Sequence, residues 1–212
     1  MGLKSFLAKQ ASNPSGWFGK ILAGRILNKA NASLEDMGLE LMDIKPDSTI
    51  LEIGFGNGRL ISKMGTRLNT GKITGIEISK EMIMEAEKKN KILISSGKVE
   101  LYESSVNIIP TEDEVFDKIF TANTIYFWPN PESNIQEIKR TLKTGGKFYC
   151  AFRPEDELNA KNVIRSNRTI FKHLFSKESI RTFMEQAGFK DVIIHEQKGK
   201  PLSNLIAVGT NN

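Results

Sequence analysis

From residue 45 onward, short apolar runs alternate with longer amphipathic stretches. Thr49-Ile50-Leu51-Glu52-Ile53 is β-branched or apolar everywhere but Glu52, which predicts a strand buried on both faces, as in a parallel sheet. Residues 72–78, 99–102, 116–122, 148–152, 192–195 and 205–209 read as six further strands. Helical stretches follow Arg59, run from Ser79 to about Ser95, and span 131–142 with Pro131 in the first turn. Strand and helix in alternation predict a mostly parallel sheet with right-handed crossovers.

The flanking stretches differ. Residues 1–16 contain Ser12-Asn13-Pro14-Ser15-Gly16 and read as a loose arm. Residues 17–43 read as two helices, the first carrying Trp17, Phe18, Ile21, Leu22, Ile26 and Leu27. Asn31 or Ser33 can cap the second, whose apolar positions include Leu34, Met37 and Leu41. After Arg153-Pro154, the residues Lys161, Arg165, Arg168 and Lys172 fall on one helical face, with Val163, Ile164, Ile170, Phe171 and Leu174 able to line the other. That basic face is either the solvated side of a cap helix or a contact for an anionic group or membrane surface.

The chemistry gathers at the first strand. It ends in Glu52-Ile53-Gly54-Phe55-Gly56-Asn57-Gly58, followed by a helix. Strand, glycine turn and helix make a nucleotide-binding unit, because glycine accepts positive φ and lets a ligand lie on the backbone. A dinucleotide site uses G-x-G-x-x-G. Here the third glycine comes one residue early, Arg59 holds the fingerprint position, and Glu52 would repel a pyrophosphate. The ligand implied carries positive charge and a ribose. Glu77, at the end of the second strand, stands where an acid accepts ribose hydroxyls. The bland alternative makes Glu52 and Glu77 ordinary carboxylates of a solvated sheet rim.

Leu51-Glu52-Ile53-Gly54-Phe55-Gly56-Asn57-Gly58 resembles motif I of class I S-adenosylmethionine-dependent methyltransferases, and Gly75-Ile76-Glu77-Ile78-Ser79-Lys80-Glu81-Met82 resembles their second motif. Phe116–Phe120 resembles their fourth strand, Leu142-Lys143-Thr144-Gly145-Gly146 the turn into the fifth, and residues 175–179 and 187–192 the late helix and sixth strand. The resemblance covers residues 45–209 and is greatest to the small-molecule type shared by quinone-biosynthesis methyltransferases. It implies a Rossmann-like three-layer α/β/α sandwich, with a mostly parallel seven-stranded sheet and an antiparallel last strand. It divides the chain into an arm and helical cap (1–44) and a methyltransferase domain (45–212) with a cap insertion at about 153–174.

The resemblance also implies the site. Glu52, or a water on it, receives the amino group of S-adenosylmethionine. Gly54, Phe55, Gly56, Asn57 and Gly58 supply the backbone edge, Glu77 binds the ribose, and Ile78 and Met82 sit beside it. Ser105, five residues before Pro110, stands where the family usually has an adenine-binding Asp, so Ser105 or the backbone of Val106 takes that contact. Asn123 borders the methionine side. Thr124-Ile125-Tyr126-Phe127-Trp128 either walls the methyl-donor pocket or packs under the next helix. Trp17 and Phe18 are candidate acceptor contacts, with plain core as the alternative. Tyr126 and His173 are the candidates for a general base. The expected acceptor is a small hydrophobic or aromatic molecule, and S-adenosylhomocysteine the product. No Asn/Asp-Pro-Pro-Tyr/Phe signature is present, which argues against amino-group methylation of bases or glutamine, and nucleic acid is not the expected partner.

Bulk properties change this little. A 212-residue chain, 39% hydrophobic and 26% charged, fits one globular domain with an appendage. The single cysteine fits a cytoplasmic setting. No apolar run approaches the roughly 20 residues of a membrane span, no signal peptide is apparent at the start, and no spacing suggests a metal site. Two rivals stand beside the methyltransferase: a methyltransferase-like binding module without catalysis, which the serine at 105 keeps open, and an NAD-type oxidoreductase.

Overall fold

The alternation builds a seven-stranded sheet with helices on both faces. The computed structural model describes residues 32–160, 173–199 and 203–212. The predicted Trp17–Phe18 helix and the basic face from Lys161 to Lys172 lie outside the described residues.

Helix α1 (32–42) precedes β1 (Thr49–Ile53). Then come α2 (Arg59–Gly65), β2 (Lys72–Glu77), α3 (Lys80–Lys89), α4 (Lys91–Ser95) and β3 (Val99–Glu103). β4 (Phe116–Ala122) leads through a 3₁₀ turn (Ile125–Phe127) to α5 (Pro131–Thr141) and β5 (Leu142–Phe152). α6 (Glu155–Ala160), α7 (Lys177–Gln186), β6 (Phe189–Gln197) and β7 (Asn204–Asn211) complete the chain.

The strands lie in the order β3-β2-β1-β4-β5-β7-β6. Strands β1 to β5 pair in parallel, and β7 runs antiparallel to both neighbours, as the sequence predicted. β1 and β4 are adjacent, yet their onward connections run to opposite sides of the sheet. Such a reversal opens a crevice at the carboxyl ends of the strands.

Side chains alternate between the two faces of each strand. Leu51 and Ile53 join Ile119, Phe148 and Cys150 beneath Ile135 and Ile138 of α5 and Ile180 and Met184 of α7. Ile50, with Ile73 and Phe120, packs under Leu34 and Met42 of α1 and Leu60, Ile61 and Met64 of α2. Each such side chain contributes about 1.5–3 kcal/mol through burial. Glu52 follows Ile50 by two residues, so it shares the face that α1 and α2 cover. α1 presses close there: a Cβ on Gly38 would lie 2.5 Å from the Phe120 ring.

The helix expected from Ser79 to about Ser95 is divided at Asn90. The buried Asn90 amide donates to the carbonyls of Gly58 (3.0 Å) and Ala86 (2.9 Å), and its oxygen accepts from Ser62 (2.6 Å). Those bonds draw Asn90 out of helical geometry and moor α3 to the start of α2. Asn90→Ala should cost about 1–3 kcal/mol, because it leaves buried polar groups unpaired. Urea denaturation measures this, and an unchanged midpoint would show that apolar packing alone holds α2.

Candidate active site

The glycine turn is shaped from both sides. Gly54 has φ +71° and donates its N–H to the Ile76 carbonyl at 2.8 Å. A Cβ at Gly54 would meet the Thr124 methyl at 2.4 Å, so the turn is pressed against the segment after β4. Gly56 is the opposite case. It has φ +54°, but nothing lies within 4 Å of where its Cβ would be, which leaves its backbone open to a ligand. Phe55 is buried and plugs the space over Gly75. The Asn57 side chain accepts the Arg59 N–H at 3.3 Å, and Gly58 packs on Ala86 of α3.

Glu77 ties this turn to the one after β2. Its Oε2 accepts the Gly56 N–H at 3.0 Å, while Oε1 accepts those of Ile78 (2.8 Å) and Ser79 (3.1 Å). Each carboxylate oxygen has two lone pairs, so Oε2 retains capacity for a ligand hydroxyl. Ile78 is 65% exposed and Ile108, beyond β3, is 66% exposed. Half-buried Ser105 and buried Val106 lie in the turn between β3 and Ile108. Met82 is half-buried in the first turn of α3, its N–H capped by Ser79 Oγ at 3.4 Å.

Glu52 is 5% exposed, and its Oε2 has no hydrogen-bond partner among the described residues. Burial pushes its carboxyl well above the usual carboxylate range, and the like charges of Glu35 and Glu77 push it further. Along the β1–β4 register Glu52 stands beside Phe120, one residue short of the Ile53–Thr121 pair. Two cavities, of about 470 and 310 Å³, lie at the amino ends of the strands among Asp113, Lys139, Lys143 and Lys147. They are open surface depressions on the edge away from Glu52 and the glycine turn, and a sheet of this topology binds its ligand at the carboxyl edge.

A family model described as "Methyltransferase domain" matches residues 44–188. The chain belongs to this methyltransferase family. It is 26% identical over 187 residues to the uncharacterized methyltransferase YdaC of Bacillus subtilis (strain 168), covering 88% of this chain and 96% of that one. It is also 26% identical over 195 residues to the demethylmenaquinone methyltransferase of Bacillus licheniformis, covering 81% and 83%. The solved structure of a SAM-dependent methyltransferase from Aquifex aeolicus shares the fold, with TM-score 0.67, 20% identity and coverage of 83% and 89%. The chain is a class I methyltransferase, and its family implies S-adenosylmethionine as methyl donor. The residues present fit that molecule: Glu52 offers a buried acceptor to a cation, Gly56 an open backbone edge, and Glu77 a further lone pair.

The methyltransferase holds its β4 loop through a relay of hydroxyls. Thr121 Oγ1 donates to the Ile53 carbonyl (2.9 Å) and lies 2.5 Å from Thr124 Oγ1, which accepts the Trp128 indole N–H at 3.1 Å. Asn123, half-buried with φ +56°, donates its backbone N–H to the Ala151 carbonyl at 2.9 Å.

Two aromatic residues of this loop, Tyr126 and Trp128, are buried. Trp128 is 4% exposed within the core cluster of α5 and α7. Tyr126 is 2% exposed; its hydroxyl donates to the Arg153 carbonyl at 3.1 Å and accepts the Arg153 N–H. Burial drives that phenol far above its ordinary value, so Tyr126 is a poor base. His173 is half-buried, and its backbone N–H donates to the Tyr126 carbonyl at 3.3 Å, which sets it against the β4 loop. Cys150 is buried, its thiol pushed up to about 12, as befits a core residue. Sequence reasoning did not single out Glu35 or Ile108. Ile108 carried a signal, an apolar residue beside a polar turn. Among the described residues no helix is long and apolar enough to cross a membrane.

Tyr126→Phe should cost about 1–2 kcal/mol of stability while leaving S-adenosylhomocysteine affinity within twofold of wild type. Thermal melting and calorimetry on the same variant check both. A large loss of affinity with unchanged stability would put the Tyr126 hydroxyl at the ligand instead.

Proposed function

We propose that this methyltransferase binds S-adenosylmethionine across the carboxyl ends of β1 and β2 and transfers its methyl group to a small, hydrophobic or aromatic acceptor. The observation that carries the donor site is the unpartnered Glu52 oxygen beneath a glycine turn with an open Gly56 edge. Glu52 receives the donor's ammonium. Glu77 accepts a ribose hydroxyl beside the amides it already holds, and Ile78 with Ile108 flanks the adenine near Ser105 and Val106. Asn123 borders the methionine end.

When bound, the donor supplies a methyl carbon on a positively charged sulfur. An acceptor atom forms a bond to that carbon in line as the carbon–sulfur bond breaks, and the electron pair stays on the departing thioether. The acceptor's proton leaves to solvent or to a base not assigned among the described residues. The protein's own contribution is orientation and exclusion of water. That work suits a site in which backbone amides, hydroxyls and buried rings predominate.

The acceptor reading draws support from a relative whose name refers to demethylmenaquinone, a quinone. Residues 1–44 and 153–174 are proposed to roof the acceptor's approach, with Trp17 and Phe18 as apolar contacts. The return of the chain at His173 beside Tyr126 supports that arrangement. The basic face Lys161, Arg165, Arg168 and Lys172 would then meet an anionic group of the acceptor or its surroundings.

S-adenosylmethionine and S-adenosylhomocysteine should raise the melting temperature, whereas NAD should not; stabilisation by NAD alone would overturn the donor reading. Transfer of labelled methyl to quinone-type acceptors tests the acceptor. Donor binding without transfer to any acceptor would favour the binding module.

Glu52→Gln separates binding from stability. A buried acid whose pKa is raised on folding contributes most when protonated, below its ordinary value near 4.5, and that contribution fades as pH rises through the raised value. Glutamine stays neutral. The ligand-free variant should therefore match wild type near pH 4.5 and exceed it at pH 7 by about 1–3 kcal/mol, while binding S-adenosylhomocysteine at least tenfold more weakly. Denaturation at both pH values, with calorimetry, reads this out, and equal stability at pH 7 would show Glu52 ionised without cost.

A further inference from the structure

Glu52 is one of two buried carboxyl groups at this place. Glu35, in α1, is 9% exposed, and its Oε2, like that of Glu52, makes no hydrogen bond among the described residues. Arg59 Nε stands 3.2 Å from Glu35 Oε2 and Lys63 Nζ 4.0 Å, so the contact is an ion pair by distance and charge. Three observations bring the two acids together. Glu52 lies on the sheet face that α1 and α2 cover. Its register partner on β4 is Phe120, and Phe120 packs against Gly38, one turn along α1 from Glu35. The charge of Glu35 also acts on Glu52 more strongly than that of Glu77.

Two buried carboxyl oxygens that make no hydrogen bond among the described residues, on the same side of the sheet near a ligand-binding turn, offer acceptors for N–H groups. A primary ammonium has three N–H donors on one atom and a charge to match. A single carboxylate leaves such a group under-satisfied; two converging carboxylates do not. Arg59 and Lys63 offset part of the second negative charge, while burial, the larger effect, still raises the Glu35 carboxyl above its ordinary value.

We infer that Glu35 is a positioning residue for the methyl donor, sharing with Glu52 the ammonium of its amino-acid end. The inference rests on the donor site proposed above and adds to it an element before β1, so that α1 helps to select a ligand bearing a free amino group. The groups acting on this pair are Asp36 beside Glu35 on α1, Arg59 and Lys63 on α2, Lys89 on α3 and Glu77 on β2. In the ligand-free protein, burial and the Glu35 charge favour the protonated form of Glu52. The arriving ammonium takes that proton's place, and the proton goes to solvent. Binding should therefore weaken, and proton release should grow, as pH falls from 8 to 6.

Calorimetry with S-adenosylhomocysteine, run at both pH values in two buffers of different ionisation heat, measures affinity and proton release together. Glu35→Gln should bind at least tenfold more weakly than wild type and release fewer protons at pH 6, because removing the neighbouring charge lets Glu52 ionise before the ligand arrives. Glu35→Asp keeps the charge and should keep the proton release even if its shorter reach lowers affinity. Wild-type affinity in Glu35→Gln would overturn the inference. So would weaker binding with unchanged proton release, or loss of proton release in Glu35→Asp, since either marks a structural role. If wild type itself does not bind S-adenosylhomocysteine, the donor reading falls first and this inference with it.

Discussion

A carboxyl group buried without a donor is costly, and the upper edge of this sheet is built around keeping one. Glu52 interrupts a strand otherwise made of apolar or β-branched residues, and it faces inward beneath α1 and α2 rather than outward to water. Nothing in the apolar packing of that face calls for an acid. Its presence makes sense when a cation completes the site, and the neighbouring elements are arranged so that one can arrive. Gly56 leaves the backbone clear above it, Glu77 latches the two adjacent turns, and the Thr121–Thr124–Trp128 relay fixes the β4 loop against the end of β1.

The same arrangement divides labour among the acids. Glu77 spends most of its hydrogen-bonding capacity on three backbone amides, so it acts as scaffold as well as ligand contact. Glu35 is held by Arg59 and Lys63, which keeps a negative charge close to Glu52. The site is thus strained electrostatically in the direction that a ligand's positive charge relieves. Preorganisation of this kind suits methyl transfer, where the donor already carries the activation and the protein mainly supplies placement.

Much of this was legible in the sequence because buried strands announce themselves as short apolar runs, and the strands of the described sheet lie where those runs are; that the last one runs antiparallel was implied by the family resemblance. The glycine turn and the two strand-end acids were legible because their residue types are rare in plain connections. Other features were not. The helix break at Asn90 is invisible in a continuous helix-compatible stretch, since it depends on a carbonyl and a hydroxyl contributed by the turn and helix after β1. Tyr126 and Trp128 looked equally suited to a pocket wall or a core, and the engagement of their polar atoms by Arg153 and Thr124 could not be read from the sequence. No sequence pattern marks Glu35; the close approach of α1 to Phe120 brings it to the side of the sheet that Glu52 faces.

A crystal structure with S-adenosylhomocysteine bound tests the central claim most directly. The account predicts the ligand's ammonium nitrogen within hydrogen-bonding distance of Glu52 Oε2, with the ribose over Gly56 and Glu77. A bound ligand whose ammonium points to solvent, with the Glu52 oxygen still buried and unpartnered, would contradict it.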